Sequence, residues 1–251
     1  ANVGGVVTMS RHELSLPMNL GPVIFSPYVT GEAAYWDEDL TGQDLNRLVG
    51  TAGVRGSLSM WKVFPFVRST IFNLSGLAHK MTFDFDYSIT DSSEDIGRIA
   101  QYNDLNDNAQ ERFQQRFAVN TFGGAVPAVL NTRQYAIRSG AGSLVSSPWH
   151  ELVDDLHVLR FGWHHRLQTK VGPPERQRIR DWMTLDLDAA FFPNDMENFG
   201  EDFGLYSARY SWLLSERTTI VANALYDSFG GGQQLWNAGV ISQRSARGST
   251  Y

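Results

Sequence analysis

Met81, Phe83, Phe85, Tyr87 and Ile89 alternate with Thr82, Asp84, Asp86, Ser88 and Thr90. A β-strand sends successive side chains to opposite faces, so this stretch predicts a strand with one apolar and one polar face. The same period of two recurs along the chain. In residues 155–170, His157, Leu159, Phe161, Trp163 and Leu167 share one face, and Arg160, His164, Arg166, Gln168 and Lys170 share the other. Met183, Leu185, Leu187 and Ala189 oppose Thr184, Asp186 and Asp188, and Tyr206, Ala208, Tyr210, Trp212 and Leu214 oppose Ser207, Arg209 and Ser211. Shorter or weaker candidates cover residues 3–14, 23–36, 54–61, 63–73, 113–122, 132–139, 218–228 and 235–244. That makes about twelve strands, each near the roughly ten-residue length of a membrane strand.

The punctuation between them is that of hairpins. Gly172-Pro173-Pro174, Pro193-Asn194-Asp195, Ser215-Glu216 and Gly230-Gly231-Gly232 are short turn signals. Two connections are longer. Residues 91–111 hold six acids (Asp91, Glu94, Asp95, Asp104, Asp107 and Glu111) against the single base Arg98, which predicts a solvated loop; residues 140–154 form the second. Both are expected at one end of the sheet, with the Pro173 turn at the other and residues 193–202 back beside the long loops. No segment predicts a helix of useful length, and no domain linker or fixed repeat divides the chain.

Two architectures present alternating hairpins, a soluble β-sandwich and a transmembrane β-barrel. Aromatics near strand ends (Tyr35, Trp36, Trp61, Tyr87, Trp182, Phe191, Phe192, Tyr226 and Trp236) match interfacial girdles and favour the barrel. Backbone amides cannot stay unpaired in hydrocarbon, so strands that cross it must close into a ring. The expected fold is therefore all-β, an antiparallel transmembrane β-barrel occupying residues 1–251, with Phe83, Phe85 and Phe161 toward lipid and Asp84, Asp86 and Arg160 toward the lumen. An arginine in place of Phe85 should then destabilise, and one in place of Asp86 should be tolerated.

Composition narrows the function. Aromatics make up 12% of the 251 residues and charged residues 19%, unlike a disordered or coiled-coil chain. A net charge of −6 argues against nucleic acid as a partner. Cysteine is absent, which excludes disulfides, thiolate metal sites and a cysteine nucleophile. The first residues, Ala1-Asn2-Val3-Gly4-Gly5, lack the features of a secretory signal and read as a processed or truncated start.

Several short motifs, in order, carry a resemblance. Gly76-Leu77-Ala78-His79 opens an alternating strand; Tyr102-Asn103-Asp104-Leu105-Asn106-Asp107-Asn108 precedes residues 112–117; Arg166-Leu167-Gln168-Thr169-Lys170 ends another strand. Asp181-Trp182-Met183-Thr184-Leu185-Asp186-Leu187, Phe192-Pro193 and Asn198-Phe199-Gly200-Glu201-Asp202 follow. From His12 onward the chain resembles the barrel of the LptD family, the outer-membrane lipopolysaccharide-assembly (organic-solvent-tolerance) proteins, in the divergent form of planctomycete-type members. That resemblance implies a portion of a barrel of about twenty-six strands in the outer membrane, delivering lipopolysaccharide or a related glycolipid to the outer leaflet. Its implied partners are glycolipid, outer-membrane lipids, an LptE-like plug lipoprotein and the periplasmic Lpt bridge. The family's periplasmic jellyroll and its clamping cysteines are not evident in the sequence. The alternative function is a porin-like channel for small solutes.

The site expected from this reading is a lumen-facing row of glycolipid contacts: Arg160, His164, Arg166, Lys170, Asp186, Asp188 and Arg209. Guanidinium groups bind phosphate and carboxylate bidentately, and Asp186 and Asp188 would offset Arg160 and Arg166. No cofactor, metal or catalytic residue is expected. Asp104, Asn106 and Asn108 have the spacing of a calcium loop, but Ala109 stands where that loop needs glycine. His164 and His165 are adjacent on a strand, point to opposite faces and cannot share a metal. Ser147, His150 and Asp154 fall in one loop without the nucleophile elbow a hydrolase would need.

Overall fold

A computed structural model describes residues 6–39, 41–99, 132–147, 149, 151–215, 217–228, 233–245 and 248–250. These residues build one antiparallel sheet. Its strands are β1 (Val7–Ser15), β2 (Met18–Leu20), β3 (Val23–Trp36), β4 (Leu45–Ser69), β5 (Leu74–Ser92), β6 (Leu156–Val171), β7 (Arg178–Phe191), β8 (Phe203–Leu213), β9 (Thr218–Asp227), β10 (Gln233–Ser245) and β11 (Gly248–Thr250). They pair in the order β1-β3-β4-β5-β6-β7-β8-β9-β10-β11, with β2 alongside β3, so the topology is a meander. The all-β antiparallel architecture is thus as the alternation predicts. The closed ring is not: among the described residues no ladder joins β1 to β10 or β11, and the sheet keeps two free edges.

Cross-strand registry turns the alternation into two faces. Phe83, Phe85 and Tyr87 lie opposite Trp163, Phe161 and Leu159, which in turn face Leu187, Ala189 and Phe191. Asp84, Asp86 and Ser88 lie opposite Gly162, Arg160 and Val158 on the other side. The apolar face stays exposed along much of its length, at Val29, Phe83, Ile89, Phe161, Trp163, Trp236 and Val240. Aromatic pairs gather at both of its ends: Phe191 with Phe203 and Tyr206 with Tyr226 at one, Trp182 with Trp212 at the other. Trp36 and Phe192 do not join them. Both are fully buried on the opposite face, because the sheet has a core on its polar side.

That core is the chief departure from the sequence reading. Residues 132–139, expected as a weak strand, are a helix, α1 (Thr132–Ser139). Tyr135, Ala136 and Ile137 are consecutive rather than alternating, and Gly140 (φ 83°) ends the helix in the left-handed region that favours glycine. The described part of residues 140–154, expected as the second long connection, follows α1 onto the polar face. Ala136, Ile137 and Leu152 pack there against Trp36, Leu45, Leu156, Val158, Ala190, Phe192 and Leu205. Ile96 and Ile99, from the acidic connection after β5, complete the cluster, so part of that connection is buried too. Residues 113–122 and the Asp104–Asn106–Asn108 motif lie outside the described residues.

Strand β4 is also longer than expected. The candidate at 54–61 and residues 63–69 of the one at 63–73 belong to one strand that begins at Leu45, and residues 70–73 are the turn after it. Its early residues hide their alternation because a buried arginine, Arg47, stands on the covered face while Leu48 is exposed on the other. As expected, residues 93–99, the described part of 140–154 and residues 193–202 share one end of the sheet with the β3–β4 turn, and the Pro173 turn lies at the opposite end.

Candidate functional site

The covered face is built from paired ions. Glu32 on β3 accepts from Arg47 Nη2 on β4 at 2.5 Å and lies 3.7 Å from Arg11 on β1, all three side chains being at most 4% exposed. Arg55 on β4 reaches Glu13 at 2.8 Å and Asp86 at 3.3 Å, and stacks 3.7 Å from the centre of the Tyr28 ring. Tyr28 donates its hydroxyl to Asp86 at 2.8 Å. Arg11–Glu32, Glu32–Arg47 and Arg55–Asp86 bridge neighbouring strands, while Arg55–Glu13 and Tyr28–Asp86 reach across the strand between their own.

Four guanidinium groups hold the segment carrying α1 on this face. Arg160 donates to the carbonyls of Arg138 (3.2 Å) and Ile137 (3.3 Å) at the helix C-terminus, where the helix dipole favours a cation. Arg11 donates to the Gly142 carbonyl at 2.7 Å. Arg47 donates to the carbonyls of Glu151 and Val153. Arg138, on the helix itself, binds Asn198 and Asp227, each at 2.8 Å. Strands from β1 to β9 therefore converge on one short helix and its following loop, which makes the polar face the inside of the sheet's curl.

Below α1 the inner face opens into a cavity of about 520 Å³, lined among others by Arg55, Asp84, Asp86, Tyr135, Arg160 and Asp188. Its floor carries a second network. His164 on β6 contacts Asp84 on β5 and Asp186 on β7, each at 2.8 Å, and so ties three strands together. Asp188 accepts from Ser207 at 2.9 Å and lies 3.8 Å from Arg209. Arg166, more than half exposed, lies 3.7 Å from Asp181.

The structure thus sorts the expected site residues. His164, Asp186, Asp188 and Arg209 come together as one network, and Arg166 lies beside it. Lys170 sits near the far end of β6, opposite Ile179. Arg160 lines the cavity but commits its guanidinium to the carbonyls at the end of α1. The expected offset of Arg160 and Arg166 by Asp186 and Asp188 does not occur, because the register sets His164 opposite Asp186 and Asp186 opposite Arg209. Nor is Asp86 a free lumen acid: replacing it by arginine would strand Arg55 and Tyr28. His164 and His165 do face opposite ways, His165 stacking on His79 across the apolar face.

Arg11, Glu32, Arg47, Arg138 and Asp227 are absent from the sequence reading. One signal was present: Glu32 shares a strand face with Tyr28, Thr30, Ala34 and Trp36, a lone acid amid large residues. Ser147 donates its hydroxyl to the Ala141 carbonyl, and Asp154 receives the backbone N–H groups of Asp155 and Ile96. Burial pushes the Asp154 carboxyl above its ordinary value. His150 lies outside the described residues. At the sheet's edge, Asp39 is held well below the usual carboxylate range by the Thr41 hydroxyl, with the Gln43 and Thr41 backbone N–H groups and Arg98 adding to it. No group of three or more metal-ligating side chains occurs among the described residues. In comparison with known proteins, no family model and no curated sequence matches this chain.

Proposed function

We propose that the chain is a portion of an outer-membrane β-barrel that carries lipopolysaccharide, or a related glycolipid, along its inner face toward the outer leaflet. The observation that carries this reading is the division of the sheet: a broad exposed apolar face backed by an ion-paired inner face whose own connection fills one end of the curl. A soluble sandwich buries its apolar face against a second sheet. Here the apolar face has no such cover among the described residues, and the core lies on the polar side. The ordered motifs that resemble the LptD family support glycolipid as the cargo, with an LptE-like lipoprotein and the periplasmic bridge as further partners. Arg166 and Arg209 are the exposed cationic groups for its phosphates, with His164 between Asp84 and Asp186 beside them and Lys170 beyond. Arg160 is reassigned to holding α1.

A photo-crosslinker at Arg166 or His164 should capture lipopolysaccharide in living cells, and one at Phe161 on the apolar face should not capture its head group. Equal capture at Arg166 and Phe161, with an intact permeability barrier in the Arg166→Gln, Lys170→Gln double variant, would overturn the transport reading. A change in ion selectivity under those conditions would instead favour a solute channel.

A further inference from the structure

Strand β3 ends at Val23, opposite Leu58 of β4, yet β4 runs on to Ser69. From Ser59 onward β4 pairs only with β5, and among the described residues no strand pairs with its other edge. The register with β5 is regular as far as Phe64 opposite Leu77; then Pro65, Phe66 and Val67 form an irregularity before Arg68 pairs with Ser75. Proline and a bulge are standard ways to blunt a sheet edge. They blunt this one only below Phe64, leaving Ser59–Phe64 as a defined, open length of backbone donors and acceptors.

The side chains of that length are mostly apolar on both faces, with Lys62 between Met60 and Phe64 on one of them. Met60 and Phe64 share the apolar face of the sheet, while Trp61 and Val63 project from the other side, where Trp61 is 74% and Val63 60% exposed. A strand wetted on one side alternates; one apolar on both sides is patterned for burial on both. By register the β2–β3 turn, with exposed Leu20 and Ile24, closes the upper end of the vacant strand position. Charge is equally one-sided. Residues 59–80 contain Lys62, Arg68 and Lys80 and no aspartate or glutamate, in a chain of net charge −6.

We infer that the Ser59–Phe64 edge of β4 is a docking site for a β-strand of a partner protein in which apolar and acidic residues alternate. Main-chain bonds to β4 would extend the sheet, apolar side chains would cover Trp61 and Val63, and carboxylates on the strand's other face would meet Lys62. A basic, aromatic hairpin could also lie on an anionic lipid surface. The open backbone disfavours that occupant, since unpaired N–H and C=O groups are costly in hydrocarbon and a strand partner satisfies them. The inference does not depend on glycolipid transport.

The test is amide hydrogen exchange of the 251-residue chain, folded in detergent micelles, with synthetic strand-length peptides. A Val–Glu alternating peptide should slow exchange in residues 59–64 by about tenfold or more. A Val–Lys peptide, or a Val–Glu peptide interrupted by proline, should not. Lys62→Glu should abolish protection while leaving exchange in β6 and β7 unchanged, which shows that the variant is folded. Absence of protection by the Val–Glu peptide in the parent chain would overturn the inference. So would protection that grows with protein concentration alone, which would assign the edge to a second copy. Protection by phosphatidylglycerol vesicles without peptide would assign the hairpin to lipid and equally overturn it.

Discussion

Replacing Gly140 by alanine tests whether the helix is truly fastened to the inner face by Arg160. Gly140 has φ 83°, and a Cβ built there lies 2.7 Å from Arg160 Cζ and 2.9 Å from its Nε. The substitution therefore acts twice. Left-handed backbone costs an L-residue roughly 1–2 kcal/mol. Displacing the guanidinium loses its bonds to two carbonyls, each worth about 0.5–1.5 kcal/mol at the long distances of 3.2 and 3.3 Å. The combined cost is then roughly 2–5 kcal/mol, felt by α1 and its following loop rather than by the whole sheet. Hydrogen exchange across residues 137–153 should accelerate while the β4–β5 ladder stays protected. Gly31→Ala, where a Cβ meets nothing within 4 Å, is the control and should leave exchange unchanged. In an Arg160→Ala background Gly140→Ala should retain only its backbone cost. The same penalty in both backgrounds would refute the guanidinium contact as the fastening.

Three further outcomes follow from the faces and from burial. Phe85→Arg should cost roughly 2–4 kcal/mol in a folding titration into lipid if the residue lies near the bilayer midplane, and no cost would count against the apolar face meeting lipid. Asp86→Arg should also destabilise, by about 1.5–3 kcal/mol, because it removes the acceptor shared by Tyr28 and Arg55; a neutral result would show those bonds to be dispensable. Asp154→Asn should stabilise the segment after α1 at neutral pH. The folded-state pKa of Asp154 is raised, so its favourable protonated form is fully present only below the unfolded value near 3.9 and is lost as pH rises through the folded one. The advantage of asparagine, read as the difference in thermal midpoint, should disappear on acidification below about pH 4.

Strands whose faces differ in polarity were legible from period alone: β3, β6, β7 and β9 lie within a few residues of their expected bounds. What sequence period could not reveal is chemistry that depends on what covers a face. A buried arginine such as Arg47 reads as a solvent residue until its partners, Glu32 and the carbonyls of Glu151 and Val153, are known to lie against it. Arg160 looked like a lumen cation because it shares a face with His164, Arg166 and Lys170 farther along β6, while its actual partners come from residues 137 and 138, which alternate poorly as a strand. The inner network at His164 was half visible. Its members were all singled out, but their pairing depends on the register between β6, β7 and β8, which no single strand encodes.

The connection between β5 and β6 also sets an order of assembly. Every other pair of long neighbours is joined by no more than about a dozen residues, so β1–β5 and β6–β10 can each zip locally. Joining them requires closing residues 93–155, about four doublings longer than the turn at 70–73, which adds roughly 2–3 kcal/mol to the closure cost. The β5–β6 ladder is therefore the slow seam of the meander. Arg11 and Arg47 belong to the first half, Arg160 and Asp227 to the second, and all four grip the segment spanning Ile137 to Val153 directly or through Arg138. Docking of that segment can finish only after both halves have met, so the ion pairs that read as a static inner lining also act as the latch that makes two independently zipping sheets into one cooperative unit.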